Sequence, residues 1–168
     1  MLIRQASEAD IQGIAEVSVA SWKSTYRGMV PDSYLDKISI EQRAKIWEKA
    51  LCDPQSTTIV LVAEDDTGRI VGFCSGGPNR DAAYKAEGEL YAIYLLQEAQ
   101  RNGLGTQLVQ QLLRLLRGAG YGSCLVWALS QNTAVSFYEG LGAVRVGQGE
   151  LEMDGVKLME TALCWQSI

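Results

Sequence analysis

The residues Leu90-Tyr91-Ala92-Ile93-Tyr94-Leu95, then Leu96-Gln97-Glu98-Ala99, then Gln100-Arg101-Asn102-Gly103-Leu104-Gly105-Thr106, decide how this chain is read. The first six are apolar or aromatic and predict a strand. Leu104, Leu108, Leu112 and Leu115 recur at helical spacing and predict a helix over 104–117, ended by Gly118-Ala119-Gly120. Between strand and helix lies a turn with glycines at 103 and 105. Glycine lets the backbone bend tightly and leaves its N–H groups uncovered. The start of a helix adds about half a unit of positive charge. Strand, bare turn and helix start together make a receptor for a phosphate or pyrophosphate, and Arg101 adds a formal charge beside it.

Two common phosphate loops do not fit. The pattern GxxxxGK[ST] is absent. A dinucleotide fingerprint needs a third glycine where this chain has Leu108. A glycine pair before a helix also serves as a plain cap, so the turn alone does not name a ligand.

Working outward, Leu2-Ile3-Arg4 predicts a short strand, and Ser7 with Asp10 three residues on predicts a helix start. Ile11, Ile14, Ala15, Val17, Val19 and Ala20 continue that helix, which ends before Gly28. Pro31 with Asp32 or Ser33 opens a short helix around Tyr34-Leu35. A further helix over 40–51 places Ile46, Trp47 and Ala50 inward, and Asp53-Pro54 stops it. The residues 57–63 predict a strand, Asp65-Asp66-Thr67-Gly68 a hairpin turn, and 70–75 the returning strand. A polar loop over 79–87 leads to a strand over 89–95. The run Leu125-Val126-Trp127-Ala128-Leu129 lacks alternation and reads as buried on both faces. A short helix over 132–139 is closed by Gly140. Strand returns at Val144, and Asp154-Gly155 turns it into a last strand over 156–165. The order implies one mixed α/β layer structure over 1–168.

Composition narrows the chemistry. With 47% hydrophobic residues in 168, the chain can bury roughly 70% of its unfolded surface and needs neither disulfide nor metal to fold. Its net charge is −5 with Lys and Arg spread singly, which argues against nucleic acid. Cys52, Cys74, Cys124 and Cys164 form no CxxC pair and read as free thiols rather than zinc ligands. The first residues carry no signal-type apolar region, and no apolar run approaches the ~20 residues that span a bilayer. The expectation is a soluble, cytoplasmic protein with no membrane partner. Histidine is absent. That removes Ser-His-Asp and Cys-His machinery, HExxH metal sites and histidine general bases. Acid–base work falls to carboxylates, Tyr, Lys, Cys or water.

The stretch Gln100-Arg101-Asn102-Gly103-Leu104-Gly105 resembles the acetyl-CoA-binding motif of the GNAT superfamily of N-acetyltransferases, a strand, then [QR]-x-x-G-x-[GA], then a helix. A second stretch, Asn132-Thr133-Ala134-Val135-Ser136-Phe137-Tyr138-Glu139-Gly140-Leu141-Gly142-Ala143, is similar to the family's N-x-x-A-x-x-[FL]-Y-x-x-x-G-F. Two motifs in order are far more specific than one, and the other elements fall in family order too. The resemblance implies a mostly antiparallel sheet of about six or seven strands flanked by helices, with two splayed parallel strands at the acetyl-CoA site. It departs at two places. Leu95-Leu96-Gln97 stands where the family often has Val-x-Pro, a departure that bears on the local turn shape and not on the binding mode. Gly142-Ala143 replaces Gly-Phe.

The resemblance also implies roles. Backbone at Ile93, Tyr94 and Leu95 would pair with pantetheine. The amides from Gln100 and Arg101 through Asn102, Gly103, Leu104 and Gly105 to Thr106 would take the pyrophosphate, and Asn132 would touch CoA, a role compatible with capping the following helix. Tyr138 sits where the family commonly places a general acid, the alternative being an aromatic packed on the sheet. Glu89 is the candidate base, on Leu95's face by the strand's period of two, the alternative being a solvated charge. A route through a carboxylate on the next strand is closed, because Trp127 stands there. Trp22 and Tyr26 fall where the family lines its acceptor pocket, and otherwise read as core.

The activity so implied is direct transfer of an acetyl group from acetyl-CoA to a primary amine of a small molecule, polyamine-like or amino-acid-like, without a metal. Two rivals remain at this level: a CoA-binding sensor or silent family member, and an enzyme acetylating peptides or proteins. Homodimers are frequent in the family.

Overall fold

The computed structural model describes all 168 residues. The elements are β1 (Leu2–Gln5), α1 (Ile11–Thr25), α2 (Asp32–Lys37), α3 (Ile40–Cys52), β2 (Ile59–Glu64), β3 (Ile70–Pro78), β4 (Gly88–Leu95), α4 (Leu104–Gly118), β5 (Cys124–Leu129), α5 (Ala134–Gly140), β6 (Val144–Met153) and β7 (Val156–Trp165). Short 3-10 turns at Glu8–Asp10 and Gln97–Ala99 precede α1 and α4. The seven strands form one sheet in the order β1-β2-β3-β4-β5-β7-β6. Each neighbouring pair is antiparallel except β4 and β5, which run parallel. The α/β sheet flanked by helices is the architecture expected from the sequence.

Helices cover both faces. On one, the Cys74 thiol lies 3.5 Å from the Leu108 carbonyl, and α4 buries Leu108, Leu112 and Leu116 completely. Each such leucine contributes about 1.5–3 kcal/mol. On the other, Phe73 meets Trp47 of α3 edge-on, with ring centroids 4.9 Å apart. The Ser7 amide and hydroxyl both donate to Asp10 Oδ2, at 2.7 and 3.0 Å. That start is the one expected, although its first turn is 3-10. Arg4 then bridges Asp10 and Glu64 at 2.8 and 2.7 Å, tying β1, β2 and the start of α1.

Three inward assignments need correction. Ile46 is 56% exposed, because only the Trp47 side of α3 meets the sheet. Leu116 rather than Leu115 takes the last core position of α4, one full turn beyond Leu112. Trp127, Ala128 and Leu129 are only half-buried, because β5 leaves its parallel neighbour there.

Candidate active site

The strand pair β4–β5 pairs at only three positions, Gly88 with Cys124, Glu89 with Leu125 and Leu90 with Val126. Beyond Leu90 the strands part. β4 stays with β3 to Leu95, while β5 follows β7. A bulge marks the divergence: Leu90 lies opposite Gly76 and Ala92 opposite Ser75, so Tyr91 is an extra residue. The facing residue must be small. A Cβ at Gly76 would stand 2.7 Å from the Glu89 carbonyl and 3.1 Å from Leu112. The opening leaves the β5-facing edge of β4 unpaired from Tyr91 onward. It forms a cleft of about 610 Å³.

The glycine turn closes one end of this cleft. Arg101 and Gly103 adopt left-handed backbone, with φ of 62° and 84°. Gly103 is suited to that geometry; Arg101 adopts it at some cost. The Leu104 amide donates to Asn102 Oδ1 at 3.1 Å, and the Gln107 amide makes the first helical bond, to the Gly103 carbonyl. The amides of Gly103, Gly105 and Thr106 make no hydrogen bond within the chain. Three free N–H groups at the start of a 15-residue helix are an arrangement that suits an anion. The turn forms without the proline, as Leu96 stays extended before the 3-10 turn at Gln97–Ala99. The Gln100 side chain does not point its amide into the cleft: its Nε2 donates to the Leu95 carbonyl at 3.0 Å. The Ser21 hydroxyl donates to the same carbonyl at 3.2 Å. Pairing at Leu95 is therefore left to its N–H.

The other wall comes from α5 and the loop before it. Asn132 Oδ1 accepts the Ala134 amide at 2.9 Å, which starts the helix. Tyr138, 4% exposed, lines the cleft one helical turn on. Its hydroxyl makes no hydrogen bond within the chain, yet no buried side-chain N or O lacks a partner. The hydroxyl therefore opens to the cleft. Burial, then the nearby Tyr26 and Cys74, push its pKa well above the ordinary phenol range. It stays protonated, as a donor must. Tyr26, at the end of α1, places its hydroxyl 3.2 Å from that of the half-buried Tyr94. Burial raises the Tyr26 pKa, and Tyr94 and the facing Asn132 side chain offset part of the rise.

Glu89 lies elsewhere. The bulge at Tyr91 reverses the alternation of β4, so Glu89 sits on the opposite face from Leu95, not on the same face as expected. It is 4% exposed and so not a solvated charge either. Arg80 holds it through Nη2 to Oε1 at 2.6 Å, Nε to Oε2 at 3.2 Å and its backbone amide to Oε2 at 2.9 Å. The same guanidinium lies 3.9 Å from the centre of the Tyr91 ring.

Trp22 and Tyr26 separate in the structure. Tyr26 lines the cleft, whereas Trp22 packs behind it, 4.6 Å away, against the smaller core around Leu35. Among the lining residues that the sequence reading missed is Tyr91, along with Trp127 and Phe137. Trp127 had the signal, an aromatic at the end of a strand beside the motif strand, but its apolar run read as core. Glu160 on β7 lies beside it: the position of a Gly149 Cβ would be 3.3 Å from Glu160 Oε1 and 3.2 Å from the Trp127 ring. Burial and Asp81 raise the Glu160 pKa.

Residues 19–143 match the acetyltransferase (GNAT) family model. The uncharacterised N-acetyltransferase YuaI of Bacillus subtilis is 37% identical over 166 residues, covering 99% of this chain and 93% of that one. The spermidine N(1)-acetyltransferase of Thermoplasma acidophilum is 25% identical, covering 81% and 83%. The Salmonella typhimurium protein yncA, solved with its cofactor acetyl-CoA, superimposes with a TM-score of 0.74 at 24% identity, covering 99% and 93%. The overall fold is thus shared along nearly the whole of both chains. The chain belongs to the GNAT family of acetyltransferases.

Proposed function

We propose that this acetyltransferase moves the acetyl group of acetyl-CoA to a primary amine of a small, cationic molecule by direct attack. The observation that carries this reading is the juxtaposition of three unpaired amides, at Gly103, Gly105 and Thr106, with the unpaired edge of β4. The amides suit a diphosphate, and the strand edge suits the amide-rich arm attached to it.

The residues divide the work. Backbone N–H groups on the open edge of β4 at Ile93 and Leu95 align the thioester, and an N–H there stabilises the charge that develops on its carbonyl oxygen. As the amine nitrogen bonds to the carbonyl carbon, the C–S bond breaks. Tyr138 gives its hydroxyl proton to the departing sulfur and recovers one, through water in the cleft, from the nitrogen, which sheds its extra proton as the amide forms. An alkyl amine of pKa ~10 is about one part in a thousand neutral at pH 7, so a proton must leave it first. We assign that step to water in the cleft, since the Glu89 carboxylate is engaged by Arg80 and faces away. No cysteine lines the cleft, and burial pushes the Cys124 thiol up to about 12, which favours direct attack over an acyl-cysteine route.

A polyamine-like acceptor suits the Trp127 end of the cleft. The Trp127 ring lines it, and Glu160, outside the lining and without an ion-pair partner, lies near that ring, so the charge there favours an ammonium group. The relative named for spermidine points the same way. The test is incubation with acetyl-CoA and a panel of spermidine, putrescine and free amino acids while the released thiol is followed. Release with the polyamines supports the reading; none with any amine overturns it.

A further inference from the structure

We propose that α1 couples CoA binding to the acceptor wall, with Ser21 and Tyr26 as the positioning residues at its two joints. The inference rests on the reading of the cleft as a CoA site. The first joint is the Leu95 carbonyl, which accepts from Ser21 Oγ at 3.2 Å and from Gln100 Nε2 at 3.0 Å. Ser21 belongs to α1, Leu95 ends β4, and Gln100 opens the glycine turn. The second joint is the Tyr26 hydroxyl, 3.2 Å from that of Tyr94 and facing Asn132, where α5 begins. β4 therefore reaches the same helix through a hydrogen bond at each joint, and at the second joint Tyr26 lines the cleft together with Asn132 of the α5 flank.

The joints are stiff for a physical reason. Ser21 is 1% exposed, so its hydroxyl has no water to turn to if the Leu95 carbonyl moves. Losing the bond leaves a buried donor unsatisfied, which costs more than the bond itself gains. A ligand that fixes the glycine turn also fixes Gln100, and through Leu95 it fixes Ser21. The same helix carries Tyr26 into the cleft. Ordering the turn thus orders the acceptor wall, and by linkage an amine on that wall tightens CoA.

The test is calorimetric titration with CoA of four proteins: wild type, Ser21→Cys, Gln100→Ala and the double variant. Cysteine keeps nearly the size of serine and is a weak donor. Ser21→Cys is expected to weaken CoA about 3–10-fold although Ser21 does not line the cleft. In the Gln100→Ala background the same change is expected to fall below about twofold, because the link to the turn is already cut. Ser21→Ala serves the same comparison if the cysteine variant does not fold. Unchanged CoA affinity in Ser21→Cys, or an equal loss in both backgrounds, overturns the coupling. A merely structural serine lowers the melting temperature without moving either ratio. No CoA binding by the wild type overturns the functional reading itself, a result distinct from wild-type binding that the variants share.

Discussion

Arg80 reaches the Glu89 carboxylate at 2.6 Å while its guanidinium covers the Tyr91 ring at 3.9 Å. The pair braces the bulge where the two parallel strands begin to part.

Loss of a general base costs about 10²–10⁴ in rate. Glu89→Gln, which keeps the shape and removes the charge, is expected to keep kcat/KM within about tenfold. Arg80→Ala is expected to lose more stability than Glu89→Gln, about 1–3 kcal/mol, because it leaves a buried carboxylate unpaired. Steady-state rates and thermal melts of the two variants check both statements. A drop beyond about 10²-fold in Glu89→Gln would return Glu89 to the role of base.

Tyr138→Phe removes the one tyrosine hydroxyl of the cleft that has no partner within the chain. A kcat loss of about 10²-fold is expected, with CoA affinity unchanged. Its raised pKa means the acid stays protonated through the neutral range, so no alkaline loss of rate from this group is expected below about pH 10. Single-turnover kinetics over a pH series separate the chemical step from release.

The residue opposite the bulge is the backbone's tightest demand. Gly76→Ala would drive a Cβ to 2.7 Å from the Glu89 carbonyl, against backbone rather than a yielding side chain. A destabilisation of about 1–3 kcal/mol is expected, read from chemical denaturation.

Much of this was legible along the chain. Ser7 with Asp10, the leucine ladder of α4 and the Asp154-Gly155 turn are local patterns, and each formed where its residues require. The glycine turn with Tyr138 thirty-odd residues on was legible through two motifs. The misses are non-local. The extra residue at Tyr91 depends on what β3 offers opposite it, so the face of Glu89 could not be read from a period of two. Arg80 sits in a polar loop, and nothing in that loop announces its partner. The Ser21 hydroxyl reads as a neutral helix position until Leu95 is folded against it. Trp127 looked buried on both faces because its exposure arises only where β5 leaves β4.

Among the carboxylates held below their ordinary value, the buried one is Asp10. The Arg4 guanidinium, with Ser7, holds the Asp10 carboxyl at about 2 against its ordinary 3.8. A depressed value in the folded state means the unfolded chain takes up the proton more readily. The contribution, about 2 kcal/mol, is full above the ordinary value and is lost as pH falls toward the depressed one. Urea melts over that window are expected to show the loss in the wild type and a flatter profile in Asp10→Asn.

The most direct measurement is a pair of titrations of the wild-type protein, one with CoA and one with pantetheine, which lacks the diphosphate. If the free amides of Gly103, Gly105 and Thr106 grip that group, pantetheine binds at least about 100-fold more weakly than CoA. Equal affinities, or no heat with CoA at all, would contradict the assignment of the turn and everything built on it.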